Sequence, residues 1–581
     1  MCAINGFSFK DEKLLQEMMR HCRLRGPDSE DTYHDKNISI GHNRLSIIDP
    51  DQRSKQPFIY KNLVLSFNGE IYNYIDIRNE LKKKGYSFNT DSDTEVIIKL
   101  FYEYRIEAFK KLSGIFSISI WDSTKEILYL IRDIVGVKPL YYSIKEGNIF
   151  FSTLIKPLTT TIQSKINMEA FNYYNNFGYN DLRETFYLNI FKVLPGELII
   201  YQNQKIKREK YLSFNFRKKI HYQDIKDKII KIINKQTIAD VPVALSLSGG
   251  IDSNLLLSNI HKKLKTYNLS FSFKNNKSLD SIYAKNRAKE FNTEHLEVNM
   301  TDDDFMDSLE KVSEILEEPV GNSNAIYNYI LSKKIKEKVI LCGDGGDEVF
   351  TGYDKYRSIF IFTILNKFNL FKFLKLNTNK KNINRLFYNT SNEMHLSFSR
   401  QNLMNNEILF KKFNKIKVNN VAFNHFNEIN SELNLANVML ADLDPWIPND
   451  VLVRNDKIFM NEGVEVRVPF LDQEMIENYL FYNSFKKINI FKLTKPLLRK
   501  LFKDQLKTVL KQKKGFDSPF NFWINEDKNK AKIKYFFSPE YYKSELINYD
   551  EVYKILNSKN KNNFQIYSML MLIIFLKKNN F

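Results

Sequence analysis

A chain of 581 residues, 43% apolar and 14% aromatic, is too long for a single hydrophobic core; it is expected to form two domains, at most three, without long disorder. Its formal charge of +19 comes from Lys spread along the whole chain, which describes a solvated basic surface rather than a polyanion-binding patch. The denser tracts, Lys372 to Lys381 and Lys507 to Lys514, lack the interleaved aromatics of a single-strand platform, so no nucleic-acid partner is expected.

Cys2, Cys22 and Cys342 are too few and too scattered for a disulfide framework or a zinc site, which suits a reducing cytoplasm. No basic leader followed by an apolar stretch opens the sequence. Met569 to Leu576 is apolar but far shorter than the roughly 20 residues that span a bilayer. It is expected as a last buried helix, and no membrane contact is expected.

From Met1 to about Tyr201 short strand-like runs dominate: Leu63 to Phe67, Phe116 to Trp121, Ile127 to Ile131 and Leu198 to Tyr201. A helix is predicted from Ser92, where Ser92, Asp93, Thr94 and Glu95 form a Ser-x-x-Glu capping box ahead of Val96, Ile97 and Leu100. The box would hold the Asp93 carboxylate at a helix N-terminus. After Pro195, Gly196 and the polar stretch Gln202 to Lys210, strand-length runs alternate with helical segments. Val241 to Leu247, Tyr267 to Phe273, His295 to Val298 and Val339 to Cys342 carry the pattern of a parallel α/β sheet. The domain boundary falls near residues 202 to 215, giving domains 1–205 and 215–581. From Ile359 to about Asn434 the composition predicts helix without a readable motif.

Cys2 follows the initiator Met, whose removal would leave a thiol and a free α-amine on one residue. An amine of pKa about 8 beside a thiol of about 8.5 can serve as the base for its own nucleophile. A Cys at position 2 alone specifies nothing; the blocks after it do. Arg25-Gly26-Pro27-Asp28, His42-Asn43-Arg44-Leu45-Ser46-Ile47-Ile48-Asp49, Phe67-Asn68-Gly69-Glu70-Ile71-Tyr72-Asn73, the Ser92 to Glu95 box and Arg132 to Tyr142 follow in order. In these blocks the sequence resembles the glutamine-dependent asparagine synthetases, whose class II glutaminase domain begins with Cys. The resemblance implies an N-terminal-nucleophile hydrolase fold, an αββα sandwich. It implies that Cys2 attacks the glutamine side-chain amide while Asn68 and the Gly69 N–H hold the oxyanion, each such donor being worth a few kcal/mol. Arg44 would grip the substrate α-carboxylate and Asp93 its α-ammonium, with Leu45, Ser46, Ile47, Ile48 and Glu70 completing the glutamine site. Outside this context Arg44 and Asp93 would read as an ordinary surface ion pair.

In the second half Ser246-Leu247-Ser248-Gly249-Gly250-Ile251-Asp252-Ser253 stands between a buried strand and a helix. Small residues there let backbone amides close around phosphate oxygens at a helix N-terminus. The missing Gly-Lys-Ser/Thr excludes a Walker loop. The form resembles the pyrophosphate loop of enzymes that split ATP into AMP and pyrophosphate. Gly343-Asp344-Gly345-Gly346-Asp347-Glu348 follows a second strand; its three carboxylates are costly to gather without a cation, and Mg²⁺ is expected. The resemblance implies that Asp252 and Asp347 hold Mg²⁺. It also implies that Leu247, Ser248, Gly249, Gly250, Asp252, Ser253, Phe273, Cys342 and Gly343 bind ATP, and that Asp344 serves the acyl-adenylate. Arg454 to Asp472, Lys495 to Arg499 and Lys513-Lys514-Gly515-Phe516 with Pro519 extend the match, and Lys495 would stand over the departing pyrophosphate.

The fold expected is thus α+β followed by α/β: the αββα sandwich, then a parallel-sheet adenylating domain with a helical C-terminal portion. The reaction expected is asparagine synthesis from glutamine, ATP and aspartate, with ammonia passing between domains; a homodimer is compatible with it. The sequence departs from the family pattern near the acceptor. Pro319-Val320-Gly321-Asn322-Ser323-Asn324 has an amide where a carboxylate is common, Leu154 stands where Glu is frequent, and Arg454 and Lys457 exchange the usual Lys and Arg. An amidotransferase acting on a sugar uronate or a peptide carboxylate is therefore the alternative. A tRNA-modifying adenylating enzyme would share the Ser-Gly-Gly-x-Asp-Ser loop, but the glutaminase set around Cys2 argues against it.

Overall fold

The alternating apolar runs of the first half build two six-stranded antiparallel sheets in the computed structural model, which describes residues 2–162, 165–216, 221–273, 276–367, 435–480, 482, 484–488, 494–507, 509, 519–558 and 563–581. One sheet runs in the order Ile190–Lys192, Tyr141–Lys145, Asn148–Ser152, Ala3–Phe7, Ser39–Arg44, Ser29–His34. The other runs Lys205–Lys210, Glu197–Gln202, Ile127–Arg132, Gly114–Asp122, Leu63–Ile71, Phe58–Tyr60. Their inner faces share one core of Ile4, Ile38 and Ile40 against Val64, Trp121, Leu128 and Leu130, as alternation on two facing sheets requires. The helix Glu12–Arg20 buries Leu15, Met18 and Met19 on one outer face. The helix Asp93–Tyr104 covers the other, with Val96, Ile97, Leu100 and Phe101 against Leu63, Leu65 and Phe67. The αββα order of layers is the one expected.

Two local readings change. Ser92 caps its helix by accepting the Glu95 N–H at 3.3 Å, but Glu95 does not close the box. Its carboxylate takes the N–H groups of Asn89 and Thr90 and the Lys99 ammonium instead, because the chain before Ser92 doubles back and brings those donors nearer. The polar stretch Lys205–Lys210, inside the region where the domain boundary was expected, is a strand of the first domain, paired along its length with Glu197–Gln202. Lys-rich alternation is what an exposed edge strand tolerates best.

The second half forms a parallel sheet in the spatial order Glu294–Met300, Lys265–Phe273, Val243–Ser246, Val339–Leu341, Glu465–Arg467, with Asn276–Lys277 added antiparallel to Lys265–Phe273. Chain order reverses between Val243–Ser246 and Val339–Leu341. In doubly wound sheets the crevice beyond the carboxyl ends at that reversal is the ligand site. Helices follow, among them Leu452–Met460, Gln473–Tyr479 and Asn563–Asn579; the last buries Ile566 through Leu576, as predicted. A π-helical segment, Asp442–Val451, precedes Leu452–Met460 and contains Pro445 and Pro448, which cannot donate to an α-helical ladder. Most of the stretch from 359 to 434, the Lys372 to Lys381 tract within it and all of residues 510–518, which hold Lys513, Lys514, Gly515 and Phe516, lie outside the described residues. No described helix is long and apolar enough to cross a membrane.

The two halves are joined by a continuous apolar cluster and by buried polar contacts. Glu317 accepts the N–H groups of Ile155 and Lys156 at 3.0 and 2.6 Å. Tyr174 donates to the Ser568 carbonyl at 2.8 Å, and Arg25 meets Asp456 at 2.7 Å.

Candidate active sites

Cys2 is buried at the start of the Ala3–Phe7 strand, its N–H donating to Asn68 Oδ1 at 3.2 Å and its Sγ lying 4.0 Å from the Leu45 carbonyl oxygen. Asn68 and Gly69 stand opposite Ser117 and Phe116 in the ladder, and Asn68 Nδ2 donates to Ser117 Oγ at 3.3 Å. Both ends of that amide are thereby oriented beside the thiol. At Gly69 φ is +152° and a Cβ would stand 2.0 Å from the Ile115 carbonyl oxygen, so this rung of the ladder admits only glycine. Burial pushes the Cys2 thiol up, and the N-terminal charge draws it part of the way back. His42 is bonded to Ser66 Oγ at 2.8 Å and is pushed down to about 3 by burial and by Arg44, so it is held neutral. Among the described residues no side-chain base hydrogen-bonds the thiol.

Around this centre Leu45, Ile47 and Ile48 are buried, and the Ser46 N–H donates to Asp28 Oδ2 at 2.6 Å. Arg44 donates from Nη1 to the Asp51 carbonyl at 3.1 Å and from Nη2 to the Asp49 carbonyl at 2.6 Å, shaping the loop that walls the site. Asp93 Oδ2 accepts the Ile71 N–H at 3.1 Å; burial pushes its carboxyl up to about 7 against that bond and the helix N–H groups. Glu70 is pushed well up by burial and by Glu465, while Arg467 opposes the shift. Glu465 and Arg467 belong to the second domain. Arg467 Nη2 lies 3.5 Å from Glu70 Oε1, and its Nε contacts Glu465 Oε1 at 2.5 Å.

The second site lies at the reversal of the parallel sheet. The turn after Val243–Ser246 is knitted by its own hydroxyls: the Ser248 N–H donates to Ser253 Oγ at 3.0 Å and the Gly250 N–H to Ser248 Oγ at 3.2 Å. The Gly249 N–H donates to Asp280 Oδ1 at 2.9 Å. Ser248, Asp252 and Ser253 line one cavity of about 860 Å³ together with Cys342, Gly343, Asp344 and Asp347, within the range of small-molecule sites. Leu247 is buried behind the turn. Phe273 ends the Lys265–Phe273 strand, and its side chain is outside the described residues. Burial and Asp344 push the Cys342 thiol well up, which makes it inert lining.

Lys495 Nζ bridges Asp252 at 2.5 Å and Asp347 at 2.6 Å, with 2% of the Lys exposed. Its φ is +52°, directly before Pro496, a left-handed conformation that costs a bulky residue on the order of 1 kcal/mol and persists where surrounding structure imposes it. Glu348, the third carboxylate expected to face a cation, instead accepts from the Tyr353 hydroxyl at 2.7 Å and is pushed up to about 8 by burial and Asp347. Asp252 and Asp347 thus converge within reach of one cation, as the Lys495 ammonium demonstrates. A Cβ on Gly346 would stand 2.4 Å from Asp252 Oδ1 and one on Gly352 1.8 Å from Asp347 Oδ1, so glycines keep this cradle open. The described residues contain no group of three or more His, Cys, Asp or Glu placed to hold a metal. Two carboxylates completed by phosphate and water oxygens are a donor set that suits Mg²⁺.

Beside the cavity Asp450 takes Trp446 Nε1 at 2.8 Å, Arg454 Nε at 3.1 Å and Asn322 Nδ2 at 3.3 Å, three residues that line it. Among the described residues the remaining guanidinium nitrogens of Arg454 make no hydrogen bond, and the residue, buried and fixed by Asp450, lines the cavity. Asn322, Asn324 and Arg454 are therefore the departures that reach the site. Leu154 and Lys457 do not line it: Lys457 pairs with Glu317 at 2.7 Å under the Tyr141 ring, and Leu154 adjoins Ile155, whose N–H the same Glu317 takes. Sequence reasoning assigned no role to Arg25, Asn455 and Asp456. Their signal was charge and amide within runs otherwise patterned for burial.

A family model described as a glutamine amidotransferase domain matches residues 1–212, and one described as asparagine synthase matches residues 224–577. The glutamine-hydrolyzing asparagine synthetase 1 of Bacillus subtilis is 31% identical over 546 residues, covering 89% of this chain and 86% of the relative. Its asparagine synthetase 3 is 25% identical over 519 residues, 82% of this chain and 80% of the relative. The amidase chyE of Penicillium rubens is 26% identical over 374 residues, 58% of this chain and 54% of the relative. The chain belongs to the glutamine-hydrolysing asparagine synthetase family, an amidotransferase domain followed by a synthetase domain.

Proposed function

We propose that this protein makes asparagine: glutamine, water, aspartate and ATP give glutamate, asparagine, AMP and pyrophosphate. The observation that carries the reading is the one cavity lined by the Ser248, Asp252 and Ser253 turn, by Asp344 and Asp347, the second carboxylate of the Asp252–Lys495–Asp347 bridge, and by the Arg454 guanidinium. In the first domain the α-amine of processed Cys2 takes the thiol proton, the thiolate attacks the glutamine amide carbon, and Asn68 with the Gly69 N–H receives the oxyanion. Arg44 and the carboxylates of Asp93 and Glu70 orient the two charged ends of glutamine. Collapse of the oxyanion breaks the C–N bond and expels ammonia, which takes its proton from the α-ammonium and passes to the second site, and water then cleaves the thioester to glutamate and the free thiol.

In the second domain the turn of residues 248–253 receives the pyrophosphate oxygens, its N–H groups exchanging their present acceptors, Ser253, Asp280 and Ser248, for phosphate oxygens. Asp252 and Asp347 would hold Mg²⁺, which when bound supplies charge neutralisation on those oxygens. Lys495 places an ammonium where pyrophosphate departs as the aspartate β-carboxylate attacks the α-phosphorus. Asp344, oriented by Asn455 at 2.8 Å, accepts a proton from ammonia as it attacks the acyl-adenylate carbonyl. Arg454 pairs with the distal carboxylate of aspartate.

A second reading, amidation of a larger carboxylic acid, is favoured by the amide of Asn322 at the acceptor end and by a cavity of about 860 Å³. Pyrophosphate release measured with ATP, Mg²⁺ and a panel of carboxylic acids tests both. A signal with aspartate supports asparagine synthesis. Silence with aspartate and a signal with a uronate or peptide acid assigns the acceptor to that class.

A further inference from the structure

The Leu452–Met460 helix carries four consecutive polar residues, Arg454, Asn455, Asp456 and Lys457, every one of them buried. Successive side chains on an α-helix diverge by roughly 100°, so four in a row sweep most of its circumference. This turn is flanked by buried Leu452, Ile458, Phe459 and Met460, and since buried charges and amides need partners, each of its four residues meets a different part of the molecule. Arg454 meets Asp450 at the acceptor end of the cavity. Asn455 donates to Asp344 Oδ2 at 2.8 Å and accepts from Asn328 Nδ2 at 2.7 Å, which fixes the sense of its amide from both ends. Asp456 meets Arg25 Nη1 at 2.7 Å and Lys138 Nζ at 3.4 Å, both in the glutaminase domain. Lys457 meets Glu317, whose carboxylate caps Ile155 and Lys156.

Arg25 then reaches the nucleophile itself: its Nε lies 3.5 Å from the Cys2 carbonyl oxygen. At the other cation the anchor is rigid, because the Asp133 carboxylate collects the N–H groups of Val135, Gly136, Val137 and Lys138. We propose that this helix couples the two active sites, Asn455 following the state of Asp344 and Asp456 carrying it through Arg25 to Cys2. Arg25 and Asp456 are on this view positioning residues for the thiol. The inference rests on the two-site reading above. A displacement of the helix by about 1 Å, typical of coupling transitions between packed elements, is enough to lengthen contacts this short. Filling the cavity engages Asp344, shifts Asn455, and moves the Cys2 carbonyl with its thiol relative to Asn68 and Gly69.

The test is the rate at which the diazoketone analogue of glutamine labels Cys2 in the processed full-length protein. It is compared with the cavity empty, with ATP and Mg²⁺, and with the acid that supports pyrophosphate release added. In the wild type, loading should change the rate by about fivefold or more. In Asp456→Asn and in Arg25→Lys the rate should no longer respond, while ammonia-supported pyrophosphate release in Asp456→Asn stays close to wild type. Asp456→Glu, which restores the charge, should regain part of the response and stands in if Asp456→Asn does not fold. A wild-type labelling rate indifferent to the cavity's contents overturns the proposal, and so does a wild-type response in Asp456→Asn. Failure of every acid to release pyrophosphate would sink the adenylation reading instead, since the response to ATP and Mg²⁺ is read separately.

Discussion

Lys495 and Asp252 are held together at 2.5 Å although 243 residues separate them, and the same ammonium meets Asp347 at 2.6 Å. One cation therefore holds two carboxylates, Asp252 buried and Asp347 partly exposed, at the point where a pyrophosphate would leave. An ammonium in so dry a site contributes several kcal/mol to a developing anion, against the fraction typical of exposed pairs. Lys495→Ala should lower single-turnover formation of AMP by about 100-fold or more, with glutaminase activity intact. Lys495→Arg should recover little, because a planar fork does not fit a cradle shaped for a point charge. The substitution also leaves two carboxylates facing each other, so Mg²⁺ should raise the melting temperature of Lys495→Ala more than that of the wild type. Equal Mg²⁺ shifts in the two proteins would remove Asp252 and Asp347 as the metal pair.

Cys2→Ala should abolish glutamine-dependent amide formation, while free ammonia still supports it, because the thiol and the adenylating cavity stand on different domains. Loss of both activities would show that Cys2 holds structure rather than chemistry. A chain that keeps Met1 should behave like the variant, its α-amine base displaced.

Glutamine should bind more weakly as the pH falls below about 7, the value to which burial raises the Asp93 carboxyl. Below it the protonated acid cannot pair with the substrate ammonium, and Glu70, also raised, acts in the same sense. Affinity should fall toward about tenfold per pH unit on the acid side and level off above. Calorimetric titration of Cys2→Ala with glutamine measures this without hydrolysis of the ligand, the thiol being absent. A flat profile from pH 5.5 to 8.5 would remove the two carboxylates as ammonium ligands.

His42 makes a stability prediction of defined sign. Its folded value of about 3 lies below the unfolded value of 6.5. As the pH falls through 6.5 the unfolded chain takes up a proton that the native state refuses, and stability declines by about 1.4 kcal/mol per unit. That loss continues to about pH 3, where the native imidazole also protonates. In His42→Gln the urea midpoint of the full chain should fall less steeply between pH 6.5 and 5 than in the wild type; an identical slope would contradict the burial argument.

Arg454→Met should raise the KM for the acceptor by about 10- to 100-fold while leaving that for ATP nearly unchanged, since removing one side of a buried charge pair costs a few kcal/mol. Steady-state pyrophosphate release at varied acceptor decides it. An unchanged KM would place the acceptor away from the Asp450–Arg454 corner.

Much of this protein was legible in its sequence because the signals were local. The apolar patterns of Leu63 to Phe67 and Phe116 to Trp121 foretold strands, and the strand–glycine turn–helix order around Ser248 to Ser253 foretold a phosphate-binding turn. Both depend on backbone geometry within a few residues. The parallel sheet followed from the same periodicities, whereas the order of layers in the first domain came from the resemblance to the family.

What the sequence by itself determined was the set of chemical groups and the local frames that present them: a thiol at a strand start, amides in a glycine turn, a carboxylate at the head of a helix. Only the tertiary structure decided which groups meet. Glu95 turned to Asn89 and Thr90 rather than to its own cap, and Glu348 turned to Tyr353 rather than to a cation. Arg467 came to rest beside Glu70 across the domain boundary, and one helix met Arg25 with Asp456 and Asp344 with Asn455. The physical reason is that a buried charge must find a partner somewhere in the interior. Local propensity does not encode which of several partners, hundreds of residues away, packing brings within 3 Å.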